Sequence, residues 1–129
     1  MTLRSLLLSS ILVSTHLAGC ASTGTTPTVI LGQPVVMRPG ERVELPSGAN
    51  LRYVAVAADS RCPPNVQCIH AGDADVVFEF TPAAASTQRI TLNTAAQPAT
   101  TALGDWQLRL IALGFGAAPP TTVQVDIAH

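Results

Sequence analysis

The chain has 129 residues, within the span of about 100–150 usual for one small domain, which excludes a multidomain enzyme. Charged residues make up 12%, against a typical share near about 25%. All seven basic residues are Arg and the formal charge is −1, so no electrostatic footprint points to nucleic acid. With 47% hydrophobic residues, general disorder is excluded as well.

Arg4 alone carries a charge ahead of the apolar run Leu6–Val13, which ends at Ser14-Thr15-His16. A basic start, a short apolar core and small residues after it are the layout of an export signal, and the run is too short to span a bilayer. Residues 1–19 are read as a signal peptide. It closes with Leu17-Ala18-Gly19-Cys20, which resembles the lipobox of bacterial lipoproteins. The resemblance implies that Cys20 receives a diacylglycerol thioether, that the peptide before it is then removed, and that the new N-terminus is acylated too. Two or three acyl chains then hold the protein on a membrane, each buried CH2 contributing about 0.8 kcal/mol. Ala21, in place of Asp, implies transfer to the outer membrane, with the domain facing the periplasm.

Residues 20–27 are small, polar and uncharged, and read as a lipidated N-terminus with a flexible tether. From residue 28 to 129 the hydrophobic period is two. Val35–Met37 and Val43/Leu45 open the series. Leu51–Ala58 is apolar on both faces apart from Arg52, as in a central strand. In Asp73–Phe80 an inward set of Ala74, Val76, Phe78 and Phe80 alternates with Asp73, Asp75 and Glu79. Ile90 and Leu92 follow. Then come Trp106, Leu108, Leu110 and Ala112, opposite Asp105, Gln107 and Arg109, and finally Val123, Val125 and Ile127. Pro82–Ser86 and Thr94–Thr101 read as loops, and Trp106 as a core anchor. Turn-forming Gly, Pro, Asn and Asp residues separate the runs. The expected fold is all-β: a small antiparallel sandwich of seven or eight strands, immunoglobulin-like in architecture, with a closed barrel as the alternative.

One segment, Asp59-Ser60-Arg61-Cys62-Pro63-Pro64-Asn65-Val66-Gln67-Cys68-Ile69-His70-Ala71-Gly72, concentrates the unusual residues. With Cys20 assigned to lipid and the compartment oxidising, Cys62 and Cys68 are expected to form a disulfide that stabilises by roughly 2 kcal/mol. Asp59 is expected to cap the turn, with Arg61 paired to Asp59 or Asp73. Alternatively Asp59, Arg61, His70 and Asp73 make up a binding loop, with Arg61 exposed as its hot spot. A third reading takes Cys62, Cys68, His70 and Asp73 as copper or zinc ligands, although C-x5-C-x-H is not a common zinc spacing.

Asp59-Ser60-Arg61-Cys62-Pro63, then Cys68 and Ala71-Gly72 before a strand, resembles a signature of small β-rich bacterial lipoproteins. It covers about 20 residues and implies a β fold without an activity. Members often carry Trp before the Ala-Gly pair, where this chain has His70. No nucleophile elbow, H-E-x-x-H pair or P-loop occurs, and Ser60, His70 and Asp73 lack an identifiable oxyanion-hole element. The expectation is a non-catalytic, cofactor-free binding or structural module of the cell envelope. Its partners would be the membrane, through lipid on Cys20, and an envelope protein, with no nucleic acid. A periplasmic metal-binding protein and an inhibitor of an envelope-attacking hydrolase are the alternatives.

Overall fold

The computed structural model describes residues 24–129; the segment expected to be a signal peptide (1–19), Cys20 and Ala21 lie outside the described residues. Alternation of apolar and polar residues yields eight strands: β1 (Pro34–Met37), β2 (Arg42–Glu44), β3 (Asn50–Asp59), β4 (Ala74–Thr81), β5 (Gln88–Asn93), β6 (Thr100–Leu103), β7 (Trp106–Leu113) and β8 (Thr121–Ile127). They form two antiparallel four-stranded sheets, β2-β3-β4-β5 and β1-β8-β7-β6, so the architecture is a β-sandwich and not a closed barrel. Immunoglobulin domains connect their sheets by Greek keys. Here β2-β3-β4-β5 is a meander, and in the other sheet β6, β7 and β8 form a meander to which β1 adds beside β8.

The inward side chains predicted for β4 are all buried; Leu51 and Tyr53 of β3 lie beside them on the same sheet, and Leu108 of β7 with Val123 and Val125 of β8 come from the other. Removing side chains of this size from water contributes roughly 1.5–3 kcal/mol each. Trp106 packs partly buried against the core, its ring edge-on to Phe80 at 6.4 Å between centroids. Val29 closes one side of the sandwich: its N–H donates to the Glu44 carbonyl, and Gly32 N–H donates to Val125. Pro27, assigned to the tether, already accepts a bond from Glu44 N–H at 2.9 Å.

Three local expectations change. The first is Ala112, which is exposed because a bulge between Leu110 and Ala112 shifts the phase of β7; Leu113 packs on the core in its stead. Second, residues 100–103 form β6, although Thr94–Thr101 reads as loop. Its four residues are too short for a period to show, and β7 supplies its pairing. Third, β3 is central only over Asn50–Arg52, where β2 pairs with it; Ala55–Asp59 pair with β4 alone, and Ala57–Asp59 are exposed. Ile127 is also 60% exposed at the far end of β8, although it shares the parity of buried Val123 and Val125.

Tyr53 links the two sheets. Its ring lies fully buried beside Phe78, and its hydroxyl donates to the Pro119 carbonyl at 2.9 Å, in the connection before β8. Burial raises the phenol pKa above its ordinary value, against a smaller lowering by Arg61, which keeps the group a donor at neutral pH. The Tyr53→Phe variant is expected to lose about 1 kcal/mol in urea unfolding, because the Pro119 carbonyl loses its donor while the ring packing is kept.

Candidate functional site

The ladder between β3 and β4 continues past their ends. Ser60 N–H donates to the Asp73 carbonyl at 2.8 Å, and Cys62 N–H donates to Ala71 at 2.9 Å. Asp73 N–H in turn donates to Ser60 Oγ at 3.1 Å. Gly72 makes this narrow approach possible: its φ is +65°, and a Cβ there would run into the Ser60 carbonyl. At the tip, Val66 N–H donates to the Pro63 carbonyl, with Pro64 and the left-handed Asn65 (φ 63°) between them, the residue order that a type II turn favours. Cys62 and Cys68 are joined by a disulfide with Cα atoms 5.8 Å apart, well inside the usual span. The loop is thus held at its base by backbone bonds and across its middle by a covalent bond.

Arg61 fastens the loop to the other sheet. Its Nε and Nη2 donate to Asp59 Oδ1 and Oδ2 at 2.9 and 2.7 Å. Nη1 donates to the Leu113 carbonyl at 2.8 Å and Nη2 to Gly114 at 2.7 Å. The guanidinium carbon sits 4.1 Å from the centroid of the Phe115 ring, a cation–π distance. Asp59 also accepts from Arg61 N–H at 3.1 Å, so the carboxylate orients the arginine and caps the turn together. Only Arg provides a planar fork for one carboxylate with further N–H groups left for carbonyls.

Of the sequence alternatives for this pair, the geometry has Arg61 bonded to Asp59, not to Asp73, and corrects the expectation of an exposed Arg61. The side chain is 11% exposed because its donors turn inward to the end of β7. His70 and Asp73 are exposed on the loop surface, and no hydrogen bond joins His70 to Ser60, whose hydroxyl is engaged with the Asp73 backbone. The disulfide ties up both sulfurs that a thiolate metal site would need. Among the described residues no three His, Cys, Asp or Glu side chains come together as a candidate metal site.

Around this braced end the exposed large apolar side chains are Val66 and Ile69 on the disulfide loop, Ile111 at the β7 bulge, and Phe115. Sequence reading weighed the charged and sulfur residues and passed over these four; the available signal was Val66 and Ile69 inside a polar loop and Phe115 between two glycines, while Ile111 reads as an ordinary strand residue. Comparison with protein-family models, with curated proteins and with solved structures gives no match.

The Arg61 hydrogen bonds hold the Asp59 carboxyl below its ordinary pKa, against a smaller opposing effect of burial. A depressed folded pKa means the stabilisation is complete above the usual Asp value of about 4 and is lost as pH falls through the lowered value. Urea unfolding followed from pH 7 to 2 should show this acid loss in the parent protein and a flatter acid limb in Asp59→Asn. Arg61→Lys should cost about 2 kcal/mol at pH 7, since Lys cannot serve the carboxylate and both carbonyls at once. Gly72→Ala should cost roughly 2 kcal/mol or more, with exchange of the Cys62 amide accelerated, because strained φ and the clash with Ser60 act together.

Proposed function

We propose that this chain is a lipid-anchored cell-envelope protein whose domain binds a protein partner without catalysing a reaction. The observation that carries the binding reading is Ile69, 95% exposed on a loop fixed by the Cys62–Cys68 disulfide and by Arg61. A large apolar side chain held in water on a rigid support loses little conformational entropy when a partner covers it, which favours affinity. Val66 and Phe115 extend the apolar surface at the same end of the sandwich. Arg61 and Asp59 serve as its scaffold, and His70 and Asp73 as polar groups beside it.

The lipid anchor rests on the signal layout and on Leu17-Ala18-Gly19-Cys20, and placement in the outer membrane, facing the periplasm, rests on Ala21. The hydrolase-inhibitor reading is favoured by one specific feature, a short disulfide-closed loop with Val66 exposed near its tip, and it uses the same surface. The metal reading, without thiolates, would rest on His70 and carboxylates.

In cells, Cys20→Ser should move the protein from the membrane to the soluble fraction. Chemical crosslinking in the intact envelope should then capture a discrete partner with the parent chain, and Ile69→Asp should reduce that capture at least tenfold while leaving the urea midpoint unchanged. Equal capture by Ile69→Asp would refute the loop as the binding surface. Capture of nothing by the parent chain would remove the partner itself.

A further inference from the structure

The outer edge of β3 faces the connection between β7 and β8 across a cleft of about 290 Å³. One wall is β3 from Ala55 to Asp59, the other is Gly116–Pro119, and Pro39 also lines the cleft. Three observations limit what this cleft can hold.

The first is the mismatch in strand length. β3 has ten residues and β2 has three, so beyond Arg52 no strand covers the outer edge of β3. Tyr53 still exchanges bonds with the preceding turn, donating to Glu41 at 3.0 Å and accepting from Gly40 at 2.7 Å. Along Ala55–Asp59 pairing is on the β4 side alone. An edge of this kind presents main-chain donors and acceptors in the pattern that another extended main chain satisfies.

The second is the size of the walls. Ala55, Ala57, Ala58, Ala117 and Ala118 carry only a methyl group each, which lets a guest backbone approach closely. Asp59 is the only charged residue of the lining, and its carboxylate is occupied by Arg61. The cleft therefore offers no counter-charge to a charged guest.

The third is shape. The pairing of β3 with β4 shifts register twice, between Tyr53 and Ala55 and again between Val56 and Ala58. Bulges bend and coil a strand. The straight edge of a second sandwich cannot follow such a line, and the Gly116–Pro119 wall stands in its way. A single extended segment can follow the line and fit between the walls.

We propose that Ala55–Asp59 is a β-addition site that takes one extended, uncharged peptide segment with small or apolar side chains, paired through its backbone to the edge of β3. About five residues, roughly 17 Å of strand, span the open edge. Main-chain bonds would supply the affinity, and alternate side chains facing the alanine walls would supply the selectivity. The inference rests on the binding-module reading and gives the partner a chemistry.

The test uses the full chain in detergent micelles, screened against a displayed random heptapeptide library, with synthetic copies of the selected peptides used afterwards. Selected peptides are expected to be uncharged, and at saturation to slow amide exchange within Ala55–Asp59 at least tenfold. N-methylation of the peptide at alternate amides should abolish binding in one register and spare it in the other, a readout that does not depend on any variant of the protein folding. Protection confined to Val66, Ile69 and Phe115 would overturn edge addition and leave the binding-module reading intact. Slowing of the same β3 amides by raising protein concentration alone would also overturn it, since a second copy would then be the occupant. If the library selects nothing and the envelope crosslinking is empty too, both readings fall together.

Discussion

One guanidinium decides how the end of this sandwich is built. Two sheets packed face to face are held along their length by apolar side chains, which attract without direction. At the end of the core that attraction runs out, and the two long connections there would be free to drift apart. Arg61 supplies a directional link at that point, with four hydrogen bonds reaching Asp59 on its own strand and Leu113 and Gly114 on the opposite sheet. Asp59 neutralises the charge, which makes an arginine only 11% exposed tolerable. Phe115 covers the ring-like face of the guanidinium. The disulfide, the narrow ladder at Gly72 and the turn at Pro64-Asn65 hold the loop in shape, and this side chain ties it to the end of β7.

The bulges belong to the same arrangement. Extra residues in β3 and β7 re-aim the strand ends where they leave the sheets; one irregularity lies at the middle of β3, and the other two lie in the halves of β3 and β7 nearer Arg61. The re-aiming lets the end of β7 present two carbonyls to an arginine that comes from the other sheet. Beyond Arg52, where pairing with the short β2 ends, β3 also has no partner strand on its outer side.

Much of the fold was legible because a half-buried strand must alternate. Ala74, Val76, Phe78 and Phe80 point inward as the period of two required, and so do Val43, Leu45, Val123 and Val125. The disulfide was legible from parity and compartment. Ala112 and the outer half of β3 were not, because a bulge or a missing neighbour leaves no mark in local composition, and β6 was not because four residues are too few for a period to show. Leu51–Ala58 looks like a buried central strand because alanine is apolar, whereas Ala57 and Ala58 are small residues beside a cleft. Arg61 was legible as a partner of Asp59 and illegible as a buried clamp, because the carbonyls of Leu113 and Gly114 lie more than fifty positions away and carry no sequence signature. Backbone acceptors are the same in every residue.

The pairing of the first strand with the last has a consequence for how the chain reaches this state. Each pairing within β2–β5 and within β6–β8 joins strands that follow one another, so these ladders close short loops and can form as soon as both members are available. β1 is different: its partner is β8, and Val123 and Val125 of β8 fill the core beneath it. A chain that emerges N-terminus first must hold β1 unpaired until Thr121–Ile127 appear. The sandwich therefore cannot complete itself before β8 has emerged, however early its other ladders form.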